Sequence, residues 1–395
     1  MLPKPRMISV EDALAVIGRA KAAPRAERTP LPKALGRVLA RDLASRISMP
    51  PFDKSAMDGY AIHSRDASES FRIVETISAG AVPSKAVHRG ECAKIMTGGM
   101  LPRGADLVVR RELAVEDDGR VSFTGRDDGP NVCLKGEDVK PGDVVLKKGA
   151  LLRPAEIGIL ASMGAAEVHV FERPAVGIIA TGSEIVAPGK RLLPGRIHDS
   201  NSFSLAAQAE SCGASVRMRR RAADTPAAIR RAVSSALEAC RLILVSGGVS
   251  AGDFDYVPGV LRGLGVGIVF EQVAVQPGKP TVFGTRGGIV VFGMPGNPVS
   301  TFVIFEVFVK PILFRMMGRA FEPLTVAGTL TRALLRRRTG RAAFVPVRIA
   351  GERVERPEYH GSAHIQALAG ANGLIYIPAG SEGYPEGSRV DVRLF

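Results

Sequence analysis

The chain has 395 residues, of which 46% are hydrophobic and 23% charged, with a formal net charge of +14, four cysteines and no tryptophan. This length and composition predict a packed globular protein of about two to four domains. They exclude a membrane span, because the most apolar stretch, 299–317, is interrupted by Glu306, Lys310, Pro311 and Arg315.

The N-terminal part predicts one helix followed by a β-rich region. Ser9 to Asp12 resembles a capping box, so a helix is expected from there to about Pro24. From Arg46 onward, short apolar runs separated by Gly and Pro predict β-strands. Helical periodicity returns at 153–163, which makes the β-rich part an insertion. The predicted domains are a helical domain of 1–45 with 140–173, and a β-rich domain of 46–139.

Residues 174–320 alternate strand and helix patterns and form the third predicted domain. Three continuous apolar runs, 175–180, 242–245 and 289–292, each end in a glycine-containing loop. Runs that are apolar on both faces predict a buried parallel sheet. Ligands bind beyond the carboxyl ends of such strands, and glycine lets backbone amides approach phosphate oxygens. The segment therefore predicts a domain that binds a phosphorylated ligand.

Residues 321–395 again show short strands and predict a small β-barrel-like or sandwich-like domain. The predicted fold class is thus a multidomain α/β plus β protein. Two arginine clusters, 217–221 and 336–341, favour an anionic ligand or an acidic partner, although a solvated basic surface is the simpler interpretation. Nucleic acid binding is not expected, because no helix-turn-helix or zinc spacing is present. The cysteine spacing and the absence of a signal core predict a cytoplasmic protein with reduced thiols.

Several acidic residues follow the predicted strands. Asp253 and Asp255 come after the glycine-rich exit at 246–250, and two carboxylates beside a phosphate suit Mg²⁺. Glu184, Asp199 and Asp224 recur at other strand ends. Each of these could instead cap a helix, and Asp224 before Thr225-Pro226 fits that role on pattern alone.

Three loops have an unusual composition. Lys279 lies between glycine and proline, so a rigid loop could direct it at an anion, or it could be a solvated turn lysine. The loop 295–298 joins a buried strand to a helix whose N-terminus offers free amides, or is simply a sharp turn. The loop 51–60 combines charged and small residues with Met and lacks periodicity, which favours a functional site over packing.

These segments resemble one family, the molybdopterin molybdenumtransferases, which comprise the bacterial MoeA-type proteins and the E domain of gephyrin. The strings that carry the resemblance occur in the family's order along nearly the whole chain. They are PFDKSAMDGYAI at 51–62, IMTGGMLPRGAD at 95–106, GEDVKPGDVVL at 136–146, ATGSEI at 180–185, IHDSN at 197–201, SGGVSAGDFDY at 246–256, PGKP at 277–280 and MPGNPVS at 294–300.

The resemblance implies a four-domain subunit and a homodimer, with the site between the α/β domain of one subunit and the β-rich domain of the other. The implied reaction cleaves adenylylated molybdopterin, releases AMP and places molybdate on the dithiolene sulfurs, with Mg²⁺ as cofactor. The resemblance also implies contact with the adenylyltransferase that supplies the substrate and with apo-molybdoenzymes. Neither nucleic acid nor membrane is an implied partner.

The resemblance also implies roles for individual residues. The implied catalytic residues are Asp255, Asp253, Asp58, Glu184 and Asp224, of which Asp255 and Asp253 would bind the metal. The implied substrate-binding residues are Thr181, Gly182, Ser246, Gly247, Gly248, Ser250, Asp138, Lys279, Pro295, Gly296 and Asn297. The implied molybdate-binding residues are Lys279, Pro280 and Arg341.

The chain departs from the family pattern at three places. Asn131-Val132-Cys133-Leu134-Lys135 stands where the family often has Asn-Ile-Arg, Gln276 replaces a second lysine, and the serine-rich C-terminal stretch is here 362–366. These changes remove positive and hydroxyl groups from the molybdate pocket. Two alternatives therefore stay open: a molybdopterin adenylyltransferase, which the long N-terminal part argues against, and a non-catalytic molybdopterin-binding carrier or scaffold.

Overall fold

The computed structural model describes residues 7–125, 127–249 and 255–395, which form two compact units. The large unit contains the chain up to residue 29, residues 36–40 and residues 169–395, and the small unit contains residues 30–35 and 41–168. The four predicted domain boundaries stay a prediction. None of the described helices has the length and apolar content that crossing a membrane requires.

The helices occur at most of the predicted places. They are α1 (Val10–Arg19), α2 (Pro154–Ser162), α3 (Asn201–Ser211), α4 (Pro226–Ala239), α5 (Val257–Gly263), α6 (Pro298–Ile304), α7 (Lys310–Met316) and α8 (Gln366–Ala369). A π-helical turn, Phe305–Val309, joins α6 to α7, and short 3-10 turns occur at Leu31–Lys33 and Arg111–Leu113.

Helix α1 begins as predicted, because the Ser9 side chain accepts a hydrogen bond from the Asp12 amide at 3.0 Å. It ends at Arg19 rather than near Pro24. Its buried residues Val10, Ala13 and Ile17 belong to the core of the large unit.

A six-stranded sheet forms the centre of the large unit. Its order is Ser215–Ala222, Ala175–Thr181, Leu242–Ser246, Ile289–Met294, Val282–Arg286 and Gly267–Phe270. The first four strands pair in parallel, which confirms the predicted parallel arrangement. The last two are antiparallel, so the sheet is mixed. Apolar side chains fill both faces: Ile178 and Leu244 lie in one core cluster, while Ile179 and Val245 lie in the other.

A closed barrel forms the C-terminal part of the large unit, as the sequence predicted. Its strands follow the order Ala342–Ala350, Arg353–Glu355, Thr325–Leu330, Arg389–Leu394 and Gly373–Ile377, and the last pairs with the first. The short strand Val275–Gln276 adds to it through Ala342–Ala350. Val347, Val354 and Val392 are fully buried in its interior.

The small unit contains the predicted β-rich region. Its sheet has the order Leu107–Arg110, Gly59–Ile62, Glu91–Ile95, Phe71–Ile77, Arg120–Phe123 and Ala114–Asp117.

Both units contain further short strands. They are Met7–Ile8, Ala26–Pro30, Leu43–Ala44, Lys54–Ser55, Val132–Cys133, Val144–Leu146, Glu167–Phe171, Ile185–Val186, Ile197–His198, Gln272–Val273, Leu334–Leu335 and Gly383–Tyr384.

Candidate active-site cleft

A cleft of about 600 Å³ lies where three neighbouring parallel strands of the large unit end. Its walls come from the loops that follow Ala175–Thr181, Leu242–Ser246 and Ile289–Met294. The structure brings most of the predicted site residues together here. Those that line the cleft are Thr181, Gly182, Glu184, Asp224, Ser246, Gly247, Gly248, Asp255, Pro280, Pro295, Gly296 and Asn297.

The glycine-rich exit after Leu242–Ser246 needs its glycines for two reasons. Gly247 and Gly248 have φ angles of +95° and +65°, which residues with a side chain rarely adopt. A Cβ on Gly247 would also lie 2.5 Å from the Thr181 carbonyl oxygen. The loops are therefore packed backbone against backbone, and the Gly247 amide donates to the Met294 carbonyl at 3.0 Å.

Asp224 does not cap helix α4, so that sequence interpretation is wrong. The cap is the next residue, Thr225, whose side chain accepts a hydrogen bond from the Ala228 amide at 3.3 Å. The Asp224 carboxylate instead accepts from the Ser183 amide at 2.9 Å, and so holds the loop after the first strand. Because proline favours the first position of a helix, Pro226 places the cap at the residue directly before it, Thr225.

The other carboxylates of the cleft differ in their surroundings. Asp199 is buried and accepts from the Ser202 amide and hydroxyl at 3.0 and 2.5 Å, so it stabilises the first turn of α3. Glu184 is exposed and adjoins Gly182, where a Cβ would lie 2.7 Å from its carboxylate oxygens. Together with Asp224 and Asp255, these groups make the lining of the cleft acidic.

The acids of the cleft do not form a preformed metal cage. Within the part of the chain that the structure describes, no three His, Cys, Asp or Glu side chains are placed to hold a metal ion together. A cation at these carboxylates would therefore take its remaining ligands from water or from a bound phosphate, which is how Mg²⁺ usually binds. Asp253 and Ser250, two of the predicted site residues, lie outside the described residues.

The predicted molybdate residues are more dispersed. Pro280 lines the cleft, whereas Lys279 is exposed and is not among the residues that form its walls. The guanidinium group of Arg341 donates to the Val275 carbonyl at 3.3 Å. Neighbouring Arg336 has a structural role, because its Nε and Nη2 atoms donate to the Ser381 and Pro378 carbonyls at 2.9 and 2.6 Å.

The altered C-terminal stretch contributes directly to the cleft. Ser362 accepts a hydrogen bond from the Asn297 side chain at 2.8 Å, and its carbonyl accepts from the Val299 amide at 3.0 Å. Ala363 and Ile365 line the cleft wall. Sequence reasoning missed these contacts, since it assigned the stretch only to the molybdate pocket.

Two predicted site residues, Asp58 and Asp138, belong to the small unit. Both are exposed. Asp58 accepts hydrogen bonds from the amide and the hydroxyl of Thr97, each at 2.7 Å. Chiefly the amide bond, and next the hydroxyl bond, hold the pKa of Asp58 below its ordinary value. Sequence reasoning did not single out Thr97, although it lies in the IMTGGMLPRGAD string.

Asn201 is a further residue of the cleft that sequence reasoning did not assign. It is the first residue of α3 and ends the IHDSN string, which was the only signal for it. Its side chain is almost buried at the base of the cleft, with 9% of the residue exposed.

Comparison with known proteins covers the whole chain. Family models match the MoeA N-terminal region (domain I and II) at residues 8–164, a probable molybdopterin binding domain at 177–315 and the MoeA C-terminal region (domain IV) at 330–395. A molybdopterin molybdenumtransferase of Staphylococcus aureus is 35% identical over all of this chain and 97% of its own length. That of Staphylococcus epidermidis is 34% identical over 98% and 95%.

Solved structures agree with these matches. A molybdopterin biosynthesis MoeA protein of Pyrococcus horikoshii superimposes with a TM-score of 0.88 and 32% identity, covering 98% of this chain and 99% of that one. Another solved structure, of a molybdopterin biosynthesis MoeA protein from Pyrococcus horikoshii OT3, gives a TM-score of 0.82 at 30% identity, covering 99% of this chain and 100% of that one. The resemblance of the sequence motifs is thereby confirmed, and the chain belongs to the molybdopterin molybdenumtransferase family.

Proposed function

We propose that this protein is a molybdopterin molybdenumtransferase that cleaves adenylylated molybdopterin in the cleft, releases AMP and inserts molybdate into the dithiolene. One observation carries the proposal. Three glycine-containing strand exits meet in a single cleft of about 600 Å³ that also presents Glu184, Asp224 and Asp255. Such a site offers backbone groups to a phosphoanhydride and carboxylates to a divalent cation.

The charge of the cleft supports a role for Mg²⁺. Glu184, Asp199, Asp224 and Asp255 line it, and carboxylates at this density repel a phosphate anion. Bound Mg²⁺ would neutralise that repulsion and polarise the anhydride. Asp255, with Asp253 beside it in the sequence, would hold the ion, while Asp224 and Glu184 would orient the attacking group and the phosphate. The carboxylate donor set fits the oxygen ligands that Mg²⁺ prefers.

The remaining parts of the proposal concern the dimer and the molybdate. In a homodimer, the partner subunit would supply its Asp58 and Asp138 to complete the cleft. Lys279, Pro280 and Arg341 would bind molybdate, with Gln276 leaving that pocket less positive than in relatives that have lysine there. We further propose a cytoplasmic protein that receives its substrate from the adenylyltransferase and delivers the product to apo-molybdoenzymes.

The test combines purified protein with adenylylated molybdopterin, Mg²⁺ and molybdate. We expect AMP release and the activation of an apo-molybdoenzyme. Asp255→Asn should abolish AMP release and keep a cooperative unfolding transition, because it removes a metal ligand without changing the side-chain volume. Asp391→Asn is the matched control, since Asp391 is an exposed acid on a barrel strand.

Two outcomes would contradict the proposed activity, and a third would contradict only its metal assignment. Substrate binding without AMP release would indicate a carrier, and Gln276 and the altered stretch 362–366 give that alternative its support. ATP-dependent adenylylation of free molybdopterin would indicate an adenylyltransferase. Full activity of Asp255→Asn would refute the metal assignment alone.

A further inference from the structure

We propose that Asn201 is a positioning residue that locks two phosphate-binding loops of the cleft together; this inference rests on the proposed function. The two loops are the strand exit at 246–248 and the loop at 294–298. Asn201 belongs to neither of them. It begins helix α3, and its side chain donates hydrogen bonds to both loops.

Its side-chain amide makes two short hydrogen bonds. Nδ2 donates to the Ser246 hydroxyl at 2.8 Å and to the Gly296 carbonyl at 2.7 Å, with a longer contact of 3.4 Å to the Thr301 hydroxyl. Ser246 and Thr301 are each only 2% exposed. A buried amide that satisfies both of its protons in this way is fixed in orientation.

The surrounding hydroxyls determine which end of the amide faces the loops. The Ser246 and Thr301 hydroxyls both donate to the Pro295 carbonyl, at 3.3 and 2.6 Å. Their protons are therefore used, and their oxygens can only accept from Asn201. The Gly296 carbonyl likewise accepts only. An NH₂ group satisfies all of these acceptors, whereas a carboxylate at position 201 would be repelled by them.

This network has a consequence for anion binding. The Pro295 and Gly296 carbonyls accept hydrogen bonds from buried donors, which fix the direction of both oxygens. Without these bonds the loop could turn and present a carbonyl oxygen to a bound phosphate, which would repel it. The Gly247 amide, bonded to the Met294 carbonyl at 3.0 Å, ties the two loops at a second point. Asn201 thus sets the orientation of the loop that the phosphate contacts.

The test measures AMP affinity by calorimetry in the presence of Mg²⁺. Asn201→Ala should bind AMP about tenfold more weakly, because it removes two hydrogen bonds that orient the loop. The KM for adenylylated molybdopterin should rise by a similar factor. A loss of folded protein alone would lower the apparent kcat and leave KM and the AMP affinity unchanged.

Gln208→Ala provides a matched control on the same helix. Gln208 is buried like Asn201, and its side-chain amide likewise donates to a backbone carbonyl. That carbonyl belongs to Phe302 on α6 and lies at 3.3 Å. It lies outside the cleft-lining set. We expect Gln208→Ala to lower the melting temperature at least as much as Asn201→Ala while leaving AMP affinity at the level of the wild-type protein.

Asn201→Asp supplies a readout that does not depend on the folding of the alanine variant. At neutral pH its carboxylate would face the Gly296 carbonyl, whereas the protonated acid can donate to it. Because Glu184, Asp199, Asp224 and Asp255 are present in both proteins, affinity is expressed relative to that of the wild-type protein at the same pH. Burial beside the Gly296 carbonyl would raise the pKa of the introduced acid, so that ratio should rise as the pH is lowered from about 7 to about 5.

The outcomes separate the two proposals. A wild-type protein that fails to bind AMP would overturn the proposed function and this inference with it. AMP binding by the wild-type protein that is unchanged in Asn201→Ala, or a ratio for Asn201→Asp that does not change with pH, would overturn the inference alone. Weakened binding in Asn201→Ala, with Gln208→Ala unaffected, supports it.

Discussion

At the scale of single residues, hydrogen bonds from Thr97 favour the ionised form of the Asp58 carboxylate. The amide and hydroxyl of Thr97 donate to the same oxygen of Asp58, and both bonds favour the ionised form. The carboxylate therefore stays charged at a lower pH than a free aspartate. In the proposed dimer this matters, because the group would meet a cation or a polar substrate.

Thr97→Val should raise the pKa of Asp58. The variant loses the hydroxyl donor but keeps the amide, so the pKa should move towards its ordinary value of 3.8 without reaching it. Because the folded pKa is depressed, the stabilisation is fully present above the unfolded pKa and is lost as the pH falls through the folded pKa. The unfolded pKa is the same in the variant, so its smaller stabilisation should be completely lost at a higher pH than in the wild-type protein. Carboxylate NMR titration of ¹³C-aspartate-labelled protein measures this, and Thr97→Ser should behave like the wild-type protein.

Gly247 is constrained by the small space around its Cα atom as well as by its φ angle. Gly247→Ala places a Cβ 2.5 Å from the Thr181 carbonyl oxygen at a φ of +95°. Gly195→Ala, at a φ of +73° with open space around it, carries only the conformational strain. We expect Gly195→Ala to lose about 1 kcal/mol of unfolding free energy and Gly247→Ala roughly 2 kcal/mol more. Urea denaturation compares them; equal losses would contradict the close packing of the two loops.

At the scale of elements, two adjacent residues at the start of helix α4 have different roles, one structural and one functional. Thr225 caps the helix and Asp224 binds the preceding loop, although the two are adjacent. Thr225→Ala should cost about 1 kcal/mol of unfolding free energy, as is usual for a lost threonine cap. Asp224→Ala should affect the helix less and impair substrate turnover more. Urea denaturation measures the stability of both variants, and an AMP-release assay measures their turnover. A larger loss of stability in Asp224→Ala than in Thr225→Ala would indicate that Asp224 is the cap.

The sequence predicted the central strands better than the flanking ones. The runs 175–180, 242–245 and 289–292 are apolar on both faces because helices cover both faces of the sheet, and all three became parallel strands. The strands Gly267–Phe270 and Val282–Arg286 were not predicted. Both contain glycine, Gly267–Phe270 has only four residues, and Val282–Arg286 ends in polar residues. Their antiparallel pairing depends on tertiary contacts that no local pattern encodes.

The same distinction applies to the site. A general rule for α/β sheets predicted that the strand exits converge, and twelve predicted residues line one cleft. Arg341 was assigned by resemblance alone, and Lys279 by its place between glycine and proline as well as by resemblance; neither lines that cleft. Asn201 was missed because an asparagine at the start of a helix has a common structural explanation. Only its three-dimensional contacts with two other loops reveal a further role.

At the scale of the molecule, a buried ion pair links several elements of the large unit. Glu306 in the π-helical turn bonds Lys310 at 2.7 Å and the side chain of Gln208 on α3 at 2.9 Å. The side chains of Glu306 and Lys310 are only 5% and 16% exposed. The Glu306 carbonyl also accepts from Arg393 of the barrel, whose pKa is lowered by burial.

Glu306→Ala should destabilise the protein by about 3 kcal/mol, because it leaves Lys310 without its partner in a largely buried position. The additional change Lys310→Met should recover much of that loss, since it removes the unpaired charge. Glu271→Ala, which breaks the more exposed pair with Arg262, should cost less than about 1 kcal/mol. Urea denaturation of these three variants and the wild-type protein tests this, and equal effects of Glu306→Ala and Glu271→Ala would contradict it.

The arginine-rich strand Ser215–Ala222 lies at one edge of the central sheet, and Arg217, Arg219, Arg220 and Arg221 are all exposed on it. An edge strand offers backbone groups to any other strand that approaches, including its own copy. Four guanidinium groups along one such strand make that encounter repulsive, because two copies would bring eight like charges together. The positive charge of this strand therefore disfavours edge-to-edge pairing between two copies of the sheet.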